Sequence, residues 1–118
     1  MQHTVIMTEN RAKKLKLELR RGVLVMTILS VCKQAQYGYS LKQTLNQAGI
    51  EIDEGTLYPL IRRLSEQGLL DSQWQHIDGR ERRYYTRSQL GNEVLLALIE
   101  EWQCMNKSVT KLITGEQA

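Results

Sequence analysis

The chain has 118 residues, 25% of them charged, with a formal net charge of +3 and a pI near 9.0. That length suits one domain with a modest core, to which a dimer interface would add buried area. The mild basicity permits a nucleic-acid partner, and the lack of a secretory leader or of an apolar run of about 18 residues points to a cytoplasmic protein.

The chemistry of an enzyme is missing. His3 and His76 are the only histidines, one in the expected N-terminal tail and one in an expected loop. No Ser-His-Asp, Cys-His or paired-carboxylate arrangement and no glycine-rich phosphate loop stands out, so neither catalysis nor a cofactor is expected. Cys32 and Cys104 fit no metal spacing. Both fall in apolar helical segments, and buried free thiols are expected. A redox role would require exposure and a lowered pKa.

Residues 1–10 show no periodicity and are read as a flexible N-terminus, with Thr8 or Asn10 placed to cap a first helix. From Arg11 to about Lys33 a helix is expected, striped by Leu15, Leu19, Val23, Met26 and Leu29. Lys13, Lys14, Lys16, Arg20 and Arg21 interleave with that stripe as a solvated flank. Gln36-Tyr37-Gly38 is a break, and a short helix then begins at Tyr39 or Ser40 and runs through Ala48 to Gly49. Tyr39, Ser40 and Lys42 lie at its start, where hydroxyls, backbone N–H groups and the helix dipole can hold a phosphate. The Tyr39 ring is read equally well as core or as contact. Ile50-Glu51-Ile52 is a short extended link.

The rest of the chain is organised around the next stretch, DEGTLYPLIRRLSEQG, residues 53–68. Asp53 is a good N-cap, its carboxylate able to accept from the free N–H groups of the first turn. Gly68 suits the left-handed residue that closes a helix. Leu57, Leu60, Ile61 and Leu64 form an apolar face, and Thr56, Tyr58, Arg62 and Arg63 lie on the other, where an aromatic hydroxyl and two arginines suit a DNA groove. Pro59 removes one backbone donor, so a bend or loosened turn is expected.

Two strand-like arms follow, LLDSQWQ and RERRYYT, joined through Asp78-Gly79, a strong hairpin signal. Trp74 is read as core, while Arg80, Arg82 and Arg83 crowd the second arm. A helix followed directly by a hairpin with a basic arm is the arrangement of a winged helix-turn-helix, the helix in the major groove and the wing on backbone or minor groove. The fold class is therefore mainly α with a small β-hairpin, and the winged domain spans residues 11–87.

GTLYPLIRRLSEQGLL, then GRERRYYTRSQLG, with YGYSL upstream, resemble the PadR family of transcriptional regulators over roughly Leu19 to Ile113. The likeness is to compact members with a single C-terminal helix. It implies a DNA-binding regulator whose first helix also packs against a partner subunit, and it supports an aromatic at Tyr39. One departure is Arg87, where the family usually carries an apolar residue at the wing's exit.

Ser88 is placed to cap a last helix over residues 88–114, despite Gly91 in its first turn, and 115–118 form a tail. Leu95, Leu98, Trp102, Met105, Val109 and Leu112 are spaced 3, 4, 3, 4 and 3, an a/d seam widened by Val94, Ile99 and Ile113. Nothing else in so small a chain would cover it, so a homodimer on a palindromic operator is expected. Trp102 would then face its symmetry mate, and two indoles can sandwich a flat aromatic molecule, with Met105, Leu98 and Leu95 lining the gap. Compact family members that resemble multidrug or phenolic-compound sensors imply such a site. The expected function is a homodimeric repressor released by a small aromatic ligand. The alternative is a winged-helix adaptor without specific DNA binding, and a third reading is a ligand carrier.

Overall fold

The computed structural model describes residues 2–115. The chain runs α1 (Gln2–Val31), α2 (Gly38–Gln47), α3 (Glu54–Glu66), β1 (Leu70–Ile77), β2 (Arg80–Arg87) and α4 (Gln89–Thr114). It is mainly helical with one two-stranded antiparallel sheet, a winged helix-turn-helix carrying a long C-terminal helix.

Helix α1 begins at Gln2, so the expected irregular segment is helical and neither Thr8 nor Asn10 caps it. The Thr8 hydroxyl instead donates to Thr4 O one turn back, at 2.9 Å. Periodicity missed this because residues 4–23 bury almost nothing: the core starts only at Leu24. Met1 and most of the expected tail, residues 116–118, lie outside the described residues.

The core is built from Leu24, Ile28, Leu29 and Cys32 of α1, Leu41 and Leu45 of α2, Leu57, Ile61 and Leu64 of α3, then Leu70, Tyr85 and Leu95. Helix α2 starts at Gly38, earlier than expected, because Tyr37 is the N-cap: its N–H donates to Ser40 Oγ at 3.1 Å. Helix α3 is one continuous helix with Pro59 inside it. It ends on Gln67 and then Gly68, whose φ of 77° a side chain would strain.

The hairpin turns on Asp78 and Gly79, both at positive φ (53° and 75°), a geometry that matches the twist of the flanking strands. In its register Leu70 faces Arg87, Ser72 faces Tyr85 and Trp74 faces Arg83. Along that face burial fades from Leu70 through Ser72 to Trp74, which is 66% exposed. The expectation of a core Trp74 is corrected: the strand has left the domain body by that residue. Cys104, likewise expected to be buried, is exposed, whereas Cys32 is fully buried.

At the wing's exit Arg87 takes the place of an apolar residue by bonding backbone. One guanidinium nitrogen, Nη1, donates to Leu29 O in the last turn of α1 at 2.9 Å, and Nε donates to Asn92 Oδ1. A cation at the negative end of α1 also complements its dipole. Ser88 caps α4 by accepting from Gly91 N at 2.9 Å. Gly91 is not a flaw in this turn. A Cβ there would sit 2.2 Å from Leu69 O, so glycine lets α4 cross the start of the wing.

Candidate nucleic-acid interface

At about 100° per residue, the solvent side of α3 is divided. Gly55, Pro59 and Glu66 lie opposite the buried Leu57, Ile61 and Leu64, with Tyr58 and Arg62 on one flank and Thr56 and Arg63 on the other. The surface follows that division. Tyr58 and Arg62 share a cleft of about 750 Å3 with Tyr39 of α2 and with Arg80, Arg82 and Arg83 of the wing. Thr56 and Arg63 line a separate groove with Lys42, Arg20 and Arg21.

The first cleft brings together six of the residues expected to meet DNA. Tyr58 is half-buried in it, held close to the chain: a Cβ on Gly38 would come within 2.7 Å of its ring. Burial, and then the Glu54 carboxylate, hold its phenol above the ordinary 10.0, so it stays a hydroxyl donor. Arg62 and Arg80 are exposed. Arg83 donates to Ser72 Oγ at 2.9 Å, with its guanidinium 5.8 Å from the Trp74 ring centroid. Tyr39 is 50% exposed and its hydroxyl accepts from Gln43 Nε2 at 3.0 Å, which favours contact over core.

Other expected contacts are occupied within the chain. The Ser40 hydroxyl donates to Gln36 Oε1 at 2.8 Å and accepts from Tyr37 N, so its work is in starting α2. Lys42 Nζ lies 3.6 Å from Glu54 Oε1. The Thr56 hydroxyl donates to Asp53 Oδ1 at 2.7 Å. That bond is the main reason the Asp53 carboxyl falls below its ordinary 3.8, and Asp53 is the N-cap of α3 without a side-chain capping hydrogen bond.

Sequence reading missed Tyr37. Its ring packs edge-on against Tyr84 (centroids 5.4 Å apart) and carries the Arg82 guanidinium 4.4 Å from its centroid. The only signal for it was composition, a second tyrosine in the YGY triplet.

On α4 the expected ligand residues separate. Leu95 is buried in the chain's own core, so its place as pocket lining is corrected, and Leu98 is half-buried against that core. Trp102 (47%) and Met105 (56%) are exposed, as are Val109, Leu112 and Ile113 beyond them. Among the described residues, no group of His, Cys, Asp and Glu is placed to hold a metal. No described helix is long and apolar enough to cross a membrane.

A basic cleft between a helix-turn-helix and its wing belongs to many regulators, and sequence comparison narrows the choice. The PadR-like transcriptional regulator family profile matches residues 28–97, more than half of the chain. This chain belongs to the PadR-like transcriptional regulator family. It is 34% identical over 100 residues to a transcriptional regulator of Mycobacterium tuberculosis, covering 84% of this chain and 91% of that one. Its fold is similar to that of a PadR family regulator from Eggerthella lenta, with a TM-score of 0.81 and 40% identity over 92% of this chain and 96% of that one. A PadR-like regulator from Bacillus cereus gives a TM-score of 0.75 and 30% identity, covering 84% and 99% of the two chains. PadR-like proteins are DNA-binding transcriptional regulators, not enzymes.

Proposed function

We propose that this PadR-like chain is a homodimeric repressor that binds a palindromic operator and is released by a small flat aromatic ligand. The observation that carries the DNA half is the α3–wing cleft, which gathers Tyr58, Arg62, Arg80, Arg82 and Arg83 on one concave side. Arg62 and Tyr58 reach base edges in the major groove, flanked by Thr56 and Arg63. Arg80, Arg82 and Arg83 hold phosphate or the minor groove, and the start of α2, with Tyr39, Ser40 and Lys42, lies against the backbone. Residues 11–87 are the DNA-binding domain and 88–114 the dimerisation helix, with α1 packing against the partner as well.

The dimer half rests on the exposed apolar surface of α4 from Trp102 to Ile113, which one chain leaves uncovered. A two-fold axis across that seam puts Trp102 opposite its mate, with Met105 and Leu98 beside it. A ligand between the indoles releases DNA by binding more tightly to the arrangement in which the two α3 helices are wrongly spaced.

The deciding experiment is selection of duplexes from a random pool, followed by anisotropy at two salt concentrations. Enrichment of a palindrome bound about 10³-fold over random DNA supports the repressor. Binding that salt erases and sequence does not affect overturns it in favour of an adaptor.

A further inference from the structure

Within the cleft the wing is tied to the start of α2 by more than proximity. Gln36 bridges the second wing strand with two backbone bonds: its N–H donates to Tyr85 O at 3.0 Å, and Tyr85 N donates to Gln36 O at 2.7 Å. Gln36 therefore extends the sheet beside β2 as a short third member. That bridge sets the neighbouring residues, Tyr37 and Tyr84, side by side on one face, with ring centroids 5.4 Å apart. Arg82 follows two places along the same face, and its guanidinium lies 4.4 Å from the Tyr37 centroid.

We propose that Tyr37 is a positioning residue for DNA, holding the Arg82 guanidinium as a pre-ordered phosphate clamp at the base of the wing. The inference rests on the wing-on-DNA reading above. Stacking occupies only the faces of a guanidinium. Its N–H groups radiate in the plane and remain available to a phosphate oxygen, a use that lysine cannot match. An arginine side chain in solution loses much rotamer freedom on binding a phosphate, and a ring that already holds it removes part of that loss. Arg80 is exposed on the same face nearer the turn, and among the described residues no ring lies beneath it. The two cations therefore differ in pre-organisation while sharing charge and partner.

The test is a double-mutant cycle on the full chain, with a mixed-sequence duplex long enough for two half-sites, measured across a salt series. Tyr37→Leu is expected to weaken binding about fivefold with the salt slope unchanged, because the Arg82 charge remains, whereas Arg82→Gln should weaken binding and also lower the slope by about one unit. The double variant should lose no more than Arg82→Gln alone, because Tyr37 acts through Arg82. Tyr37→Phe keeps the ring and should keep wild-type affinity, and circular dichroism and melting should show each variant folded. If Tyr37→Leu melts early, Arg82→Lys, which keeps charge but loses the planar stack, serves in its place and should also weaken binding. Tyr37→Leu that binds like the wild type, or losses that add in the double variant, would overturn the clamp. Arg62→Ala and Arg80→Gln are run alongside. If they weaken binding while the Tyr37 and Arg82 variants do not, the clamp fails and the DNA reading stands. If no arginine variant changes binding, the DNA reading itself fails.

Discussion

Arg87 Nη1 lies 2.9 Å from the carbonyl oxygen of Leu29, a contact between residues 58 apart that fastens the wing's exit to the end of α1. The first prediction follows from the carbonyl it satisfies. Replacing Arg87 with Leu puts an apolar side chain there but strips a charged donor from the carbonyl of the fully buried Leu29 and from Asn92. Hydrogen bonds to charged groups contribute about 1.5–3 kcal/mol, so Arg87→Leu should lower unfolding free energy by about 2 kcal/mol in urea titration. An unchanged midpoint would mean that water replaces the guanidinium without loss.

Gly91 gives the second prediction. A Cβ at this position meets backbone, at 2.2 Å from Leu69 O, and not the yielding end of a side chain. Helix propensity alone favours Gly91→Ala by about 1 kcal/mol. The clash should reverse that sign and cost about 2–3 kcal/mol, as overpacking of a rigid neighbour does. A thermal melt that moves upward would show that α4 can shift away from the wing at little cost.

The elements were legible where local chemistry fixes them. Asp78-Gly79 demanded a two-residue turn, Ser88 a cap and Gly68 a stop, and each does that work. What sequence periodicity could not supply was where the domain body ends. Trp74 and Leu70 share one strand face, but only the packing of that face on α3 and α4 decides that Leu70 is buried and Trp74 is not. The same holds for Cys104, which sits on α4 beyond the reach of the chain's own core. The split between Tyr58–Arg62 and Thr56–Arg63 was there to be read from helical rotation alone. Tyr37 was not, because its role depends on a bridge between Gln36 and Tyr85, 49 positions apart.

The third prediction separates the two cysteines. Burial pushes the Cys32 thiol from its ordinary 9.0 up to about 12, against the pull of the Arg87 charge. Below about pH 9 folded and unfolded chains both hold that proton, and the thiol adds no pH dependence. Between there and pH 12 the unfolded chain gives the proton up while the folded chain keeps it, so stability falls as pH rises. Urea midpoints should therefore drop from about pH 9 to pH 10.5 more steeply in the wild type than in a Cys32→Val variant. A thiol reagent at neutral pH should modify Cys104 and leave Cys32 intact until the chain unfolds. Equal slopes in the two proteins would remove Cys32 as the cause.

The last prediction concerns the seam of α4. Leu112 is 85% and Ile113 78% exposed, while Trp102 is 47% exposed on the same helix. If a second copy covers that surface across a two-fold axis, one substitution enters the interface twice. Leu112→Glu then sets two carboxylates in an apolar contact, a like-charge burial that costs several kcal/mol and should weaken the dimer about 100-fold or more in sedimentation. Trp102 reports the same event optically once Trp74→Phe removes the other indole. Its emission should sit to the blue in the assembled protein and move to the red in the Leu112→Glu background, as the indole regains water. A planar aromatic dye titrated into the Trp74→Phe protein should quench that emission and lower affinity for the selected duplex in parallel. Leu112→Glu with unchanged sedimentation would place the dimer contact elsewhere. Quenching without loss of DNA affinity would mean that the dye binds both arrangements of α3 equally, which cannot release an operator.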